Sequence, residues 1–289
     1  MLRRTSRLYV TVLALVGLAL DGAQSQAHAL TLTAEQVVAK NVAARGGLQA
    51  WRAVQTLTLS GQMQAGGTQN TELPFVLEMK RPRKSRLELK FAGRTGVQVY
   101  DGVQGWKLRP YLGRNDVESF TGEELKEAAL QSELDGPLID YAAKGSKVAL
   151  EGIEKLGDRE AYRLKVTTKS GHASHVWLDA QTFLEVKVEG VPRRLDGKLH
   201  GVEIAYKNYR SVHGLMIPHL LETTVHEAAR IPGKGMKLQD VTSKIVIDNV
   251  VWNRQLADSR FTKPPADQAP KGERAPKPEQ ARKVSRSVS

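Results

Sequence analysis

The chain has seven histidines and no cysteine. Without thiols it can form no disulfide, no thiolate metal site and no cysteine nucleophile. His172 and His175, in Gly-His-Ala-Ser-His, are close enough to be two metal ligands. A metal site needs further donors at a recognisable spacing, and none lies nearby. A turn leading into a strand accounts for the pair. His213, His219 and His226 spread over another turn and strand and read the same way. The carboxylates are scattered, so their spacing nominates no general acid and base. Neither a Gly-x-Ser-x-Gly elbow nor a phosphate-binding glycine loop occurs. The chain is therefore expected to be no enzyme: no catalytic residue, no metal site and no cofactor are assigned.

The informative residues are apolar ones arranged around a basic run. Lys80-Arg81-Pro82-Arg83-Lys84-Ser85-Arg86 sits between two alternating segments, so it marks a hairpin tip or its shoulder. Such a run is either a solvated turn whose charges block edge pairing or a basic contact at the mouth of a concave sheet. Phe75, Leu77 and Met79 alternate on one side of it, and Leu87 and Leu89 on the other. Val97 and Val99 continue the alternation. These seven are expected to share the inward face of adjoining strands. Trp106 is a further candidate for contact with an apolar ligand.

The elements that position these residues are mostly strands. Thr33 and Gln36 form a capping-box pattern that opens a helix to Arg45, and Gly46-Gly47 stops it. A short second helix is expected over Leu48–Val54. Period-two patterns follow at Leu57–Met63, Leu73–Met79, Leu87–Phe91 and Val97–Val99. Thr121 and Glu124 form a second capping box before a helix to Gln131. Pro137 is placed to start another, ending near Ala143. Strands are expected again at Lys147–Glu154, Glu160–Thr168, Ser174–Leu178, Leu184–Glu189, Val202–Arg210, Ile217–His226 and Leu238–Val250. The sum is a mainly β (α+β) chain of about eleven strands with a helical insertion between two groups. A large curved antiparallel sheet with helices on its concave side fits this order; a two-sheet sandwich leaves the helices without a role. Leu125, Ala128, Ala129 and Leu138 are modest plugs for so large an apolar face. The concavity is then either an ordinary packed core or incompletely filled and open to a hydrophobic guest.

The ends are of a different kind. Arg3, Arg4 and Arg7, the apolar run Tyr9–Leu20 and the small-x-small site Ala27-His28-Ala29 have the layout of a secretory signal peptide over residues 1–29. The run is short of the ~20 residues a membrane helix needs. The folded domain is expected over 30–265. Residues 266–289, rich in Pro, Lys, Arg and Ser, are expected to form a disordered basic tail. Of the formal charge of +12, half lies in the leader and in the chain from Lys263 onward. No aromatic-basic nucleic-acid motif accompanies it, so nucleic acid is not expected as a partner. Attraction to anionic lipid surfaces suits the charge better.

Taken in order, several segments resemble the periplasmic outer-membrane lipoprotein-sorting proteins, the LolA/LolB-like group. Met79-Lys80-Arg81-Pro82 is similar to that family's strand ending in Arg-Pro, and Leu87–Phe91 to its return strand. Asp101-Gly102-Val103-Gln104-Gly105-Trp106 resembles its Asp-Gly turn and aromatic strand, and Phe261-Thr262-Lys263-Pro264-Pro265 the close of the fold. Ala44-Arg45-Gly46-Gly47, with Tyr206, Tyr209, Gly214 and Pro218, resembles broader sorting relatives. The aromatic residue often found after the family's Arg-Pro turn is absent, with Ser85 and Arg86 in that stretch. The resemblance implies an unclosed antiparallel β-barrel with helices covering the concave face and an apolar cavity for acyl chains of lipids or lipoproteins. It implies a soluble periplasmic carrier working between membrane-bound donor and acceptor proteins. It also implies that Arg81 closes the helical lid through hydrogen bonds to backbone carbonyls. A periplasmic sensor or scaffold that binds a protein partner through the same fold is the alternative.

Overall fold

The computed structural model describes residues 32–64, 71–195, 198–231 and 235–266. The expected leader (1–29) and tail lie outside these residues, the tail but for Ala266. Helix α1 (Ala34–Ala44) starts on Thr33, whose hydroxyl accepts from the Gln36 amide while the Gln36 side chain accepts from the Thr33 amide. Both bonds are local, which is why the sequence announces them. The helix stops at Gly46, held at φ +107°, where an added Cβ would sit 2.4 Å from the Gly214 carbonyl oxygen. Helix α2 (Leu48–Ala53) follows and buries Trp51.

Six strands come next: β1 (Thr56–Gln64), β2 (Glu72–Lys80), β3 (Lys84–Phe91), β4 (Arg94–Tyr100), β5 (Gly105–Arg109) and β6 (Arg114–Ser119). Helix α3 (Gly122–Gln131) opens on the Thr121–Glu124 capping box. The second group is β7 (Lys147–Leu156), β8 (Arg159–Thr167), β9 (Ala173–Asp179), β10 (Glu185–Glu189), β11 (Arg193–Leu195), β12 (Lys198–His200), β13 (Val202–Val212), β14 (Leu215–Ile231) and β15 (Gly235–Trp252). The strands beyond the expected eleven are β5, β6, β11 and β12. In these, Lys107, Arg109, Asp116, Arg193 and Lys198 interrupt the apolar pattern.

Thirteen strands form one antiparallel sheet in the order β6-β5-β4-β3-β2-β1-β15-β14-β13-β10-β9-β8-β7, while β11 and β12 form a separate pair. The first and last strands meet in the middle, where β1 pairs with β15. The strands at the two edges, β6 and β7, are consecutive in the chain and are not paired with each other, so the sheet is unclosed. The link between them has to travel from one edge of the sheet to the other. That link is α3 and residues 132–146, a crossing segment that meets one face of the sheet through Leu134 and Ile139.

The helix expected from Pro137 to Ala143 does not form. Residues 134–145 are a series of turns, with Asp140 at φ +54° in the middle and Gly136 and Gly145 at positive φ on either side. A left-handed residue cannot continue a right-handed helix. The Asp140 carboxylate is instead taken by Arg52, which donates through Nε and Nη2 at 2.8 and 2.9 Å.

Candidate functional site: the covered face and its polar rim

The main apolar cluster lies on the face that α2 and the crossing segment cover. Phe75, Met79 and Leu89 are buried in it with Trp51, Val54, Leu134 and Ile139, while Leu77 and Leu87 pack against its edge. Register puts these five sheet residues on one side, because Phe75 pairs with Leu89, Leu77 with Leu87 and Met79 with Ser85. Ile217, Ile247 and Val250 extend the cluster across the middle of the sheet.

Val97, Val99 and Trp106 are not among them, a correction to the expected inward set. The turn between β3 and β4 has two residues, Ala92 and Gly93, both at positive φ, and it pairs Phe91 with Arg94. Val97 then stands opposite Glu88 and Val99 opposite Arg86, with Trp106 beside Val99. Cross-strand partners share a face, so these three belong to the other side of the sheet. There Val97, Val99 and Leu108 form a second cluster, closed by Leu256 and Phe261 from the chain after β15. Alternation fixes faces within a strand; the length of the turn fixes them between strands, and here it reverses the assignment.

The basic run is divided in the same way. Lys80, Lys84 and Arg86 hold the segment after β15 on the outer side. Lys80 donates to the Leu256 carbonyl at 2.7 Å, both lysines meet Asp258 at 3.0 and 3.1 Å, and Arg86 donates to the Arg260 carbonyl at 3.2 Å. Arg260 in turn meets Glu78 at 2.6 Å and Glu88 at 3.2 Å. The 81–83 turn, with a cis Arg81–Pro82 bond, faces the crossing segment instead. Arg83 meets Glu133 at 2.6 Å, in a half-exposed pair.

Arg81 lies at the rim of the covered cluster. Its Nε donates to the Val54 carbonyl at 2.8 Å, and its Nη2 to the Trp51 carbonyl at 3.2 Å and to Asp135 Oδ2 at 2.6 Å. It thus joins the last carbonyls of α2 to the crossing segment. Asp135 is buried and is the hub of this rim. Lys144 Nζ reaches its Oδ1 at 2.5 Å, and Arg45 Nη1 donates to its backbone carbonyl at 3.0 Å. Arg45, also buried, meets Glu185 Oε1 at 3.0 Å and lies 4.4 Å over the Trp51 ring. Glu185 accepts from the Tyr209 hydroxyl, and burial in this neighbourhood raises the phenols of Tyr209 and of Tyr206, the latter to about 12. Both phenols therefore stay neutral near pH 7. The Asp140 carboxyl is held below its ordinary range, chiefly by the hydrogen bonds from Arg52.

The sequence singles out neither Asp135 nor Lys144 as a site residue. Asp135 reads as a chain breaker in Asp-Gly-Pro, and Arg45 as the end of a helix. Their partners lie far away in sequence, with 90 residues separating Arg45 from Asp135 and 140 separating it from Glu185; no local pattern announces them. The histidines are placed elsewhere. His175 Nδ1 meets Glu189 at 2.6 Å, His226 Nδ1 meets Asp240 at 2.9 Å, and buried His219 contacts the Ile217 carbonyl at 3.0 Å. Among the described residues no group of three or more His, Asp or Glu side chains is arranged to hold a metal ion.

No family model matches the chain, and no curated protein matches it. Solved structures do. The chain is similar to a DUF1329 family protein from Desulfovibrio piger, with TM-score 0.51 and 16% identity over 80% of this chain and 98% of that one. It is also similar to a LolA superfamily protein from Nitrosomonas europaea, with TM-score 0.49 and 17% identity over 81% of this chain and 99% of that one. At these identities the likeness speaks for the fold alone. The fold shared with the DUF1329 family protein is a mostly antiparallel, unclosed sheet with few helices, the architecture that the resemblance in the sequence implies. No described helix is long and apolar enough to cross a membrane.

Proposed function

We propose that this protein is a periplasmic carrier or binding protein that holds an acyl chain of a lipoprotein or another acylated molecule. The chain lies between the covered face of the sheet and the crossing segment, and membrane-bound donor and acceptor proteins are the expected partners. The observation that carries this reading is how the covered face is closed. Helix α3 buries no residue fully. The turns after it bury Leu134, Leu138 and Ile139, with Leu134 and Ile139 in the main cluster, and polar contacts through Arg81, Arg83, Arg45 and Arg52 add to the attachment. A cover that buries three apolar side chains within a polar rim can leave while exposing little apolar surface of its own. An acyl chain that takes the place of those side chains gains ~0.8 kcal/mol for each methylene buried.

A fluorescent fatty-acid probe titrated into the purified protein is expected to bind with a Kd on the order of micromolar. Leu89→Asp, in a variant shown by circular dichroism to be folded, is expected to abolish binding, because the charge would stand in the centre of the apolar site. A wild-type protein that binds none of a series of acyl probes would refute the carrier reading.

A further inference from the structure

The crossing segment itself has the pattern of an anionic amphiphile. Leu134 and Ile139 enter the apolar cluster, and between them the carboxylate of Asp135 lies 2.6 Å from Arg81 Nη2. Arg81 is fixed independently of that carboxylate, by the Val54 and Trp51 carbonyls of the α2 end. Trp51 and Val54 are members of the same apolar cluster. The guanidinium is therefore held at the border of the cluster, and it stays there when the crossing segment moves.

The charges around the rim respond unequally to such a movement. Arg45 keeps Glu185, which belongs to the sheet. Lys144 travels with the crossing segment and keeps Glu133 at 3.4 Å. Arg81 has Asp135 as its carboxylate partner and loses it. A fixed, partly desolvated guanidinium without a counter-charge favours an anion from outside, and its planar fork matches a carboxylate or a phosphate. The place that Leu134 and Ile139 vacate and the place that Asp135 vacates adjoin.

From this we infer that Arg81 is the head-group contact of the site, and that the ligand is a single-chain anionic amphiphile whose carboxylate or phosphate replaces Asp135 while its chain replaces Leu134 and Ile139. The inference rests on the carrier reading and adds the charge of the ligand to it. Asp135 is then an internal competitor: it holds the closed form, and an anionic head group displaces it where a neutral one does not.

The test is competition against a fluorescent acyl probe on the full mature chain near pH 7, with three competitors of equal length: dodecanoate, dodecyl phosphate and dodecanol. Both anions are expected to compete roughly ten- to a hundredfold better than the alcohol, the range of a charge-assisted hydrogen bond. Arg81→Gln is expected to bring the ratio of anion to alcohol competition below about threefold, and Arg81→Lys to keep most of it. Asp135→Asn, which removes the competitor, is expected to bind dodecanoate more tightly than wild type, and it carries the test if Arg81→Gln does not fold. A preference for dodecanoate points to free fatty acids and one for dodecyl phosphate to phospholipid head groups; either supports the inference. Equal competition by all three compounds, or an anion advantage that survives in folded Arg81→Gln, overturns it and leaves the carrier reading intact. Failure of every chain to compete and of the probe to bind overturns both.

Discussion

Arg81 and Arg83 stand two residues apart in one turn and both touch the crossing segment, but their removal leaves different things behind. Arg81→Leu strips a donor from two α2 carbonyls and leaves the buried Asp135 carboxylate to Lys144. Breaking one side of a buried charged pair costs several kcal/mol; with Lys144 still in place and Arg81 partly exposed, roughly 2–3 kcal/mol is expected. Arg83→Leu breaks a half-exposed pair with Glu133, worth about 0–1 kcal/mol. Both variants are expected to fold. Hydrogen exchange over residues 121–143 separates them: Arg81→Leu is expected to lower protection there, and Arg83→Leu to change it little. Equal protection in wild type and both variants would remove Arg81 from any role in holding the cover. Of this site the sequence showed the apolar residues of β2 and β3, and, through a family resemblance, Arg81. It could not show Asp135, Arg45 or Lys144 as a unit, because what unites them is contact between elements distant in the chain.

At the scale of elements, the legible features are those that local bonds or short periods decide. The capping boxes of α1 and α3 close within three residues, and β2 and β3 alternate over enough positions to be unambiguous. Features that depend on a single turn or on a tertiary partner were not legible. The two-residue turn at Ala92-Gly93 sends Val97 and Val99 to the outer face. The Arg52–Asp140 pair, with Asp140 in a left-handed conformation, replaces the helix that Pro137 announces. That pair also gives the crossing segment a pH dependence. The Asp140 carboxyl is depressed in the folded state, first by the Arg52 hydrogen bonds, so the unfolded form takes up its proton at higher pH than the folded form does. The stabilisation is therefore complete above the ordinary carboxylate range, and it is lost as pH falls through that range and below. Protection of residues 133–145 is expected to fall selectively as the solution is acidified through this window. In Asp140→Asn, which should cost at most about 1 kcal/mol because the pair is partly exposed, that part of the pH dependence is expected to be absent. An unchanged pH profile in the variant would assign the effect to other carboxylates.

The whole molecule depends on chain that follows its last strand, and this separates two truncations. After β15 the chain returns along the outer face of β2 to β5, where Leu256 and Phe261 close the second apolar cluster and Arg260, Asp258 and the Leu256 carbonyl are tied to β2 and β3. Phe261 is 1% exposed. Removal of a buried phenylalanine side chain costs about 3–5 kcal/mol, and without this segment Val97, Val99 and Leu108 also lie open to water. Beyond Ala266 the sequence has Val284 and Val288 as its only large apolar residues, so its removal is expected to take little apolar contact from the domain. A chain ending at Ala266 is thus expected to melt within a few degrees of the full-length protein. Phe261→Ala is expected to lower Tm by roughly 6–20 °C, since a domain of this size loses about 2–4 °C for each kcal/mol. A chain ending at Trp252 is expected to fail to fold or to aggregate through the exposed outer face. The comparison is a set of thermal melts followed by circular dichroism. A drop of more than ~5 °C on removing residues 267–289 alone would mean that the basic tail packs on the domain. A Phe261→Ala protein that melts like wild type would mean that the outer cluster is not part of what holds the sheet together.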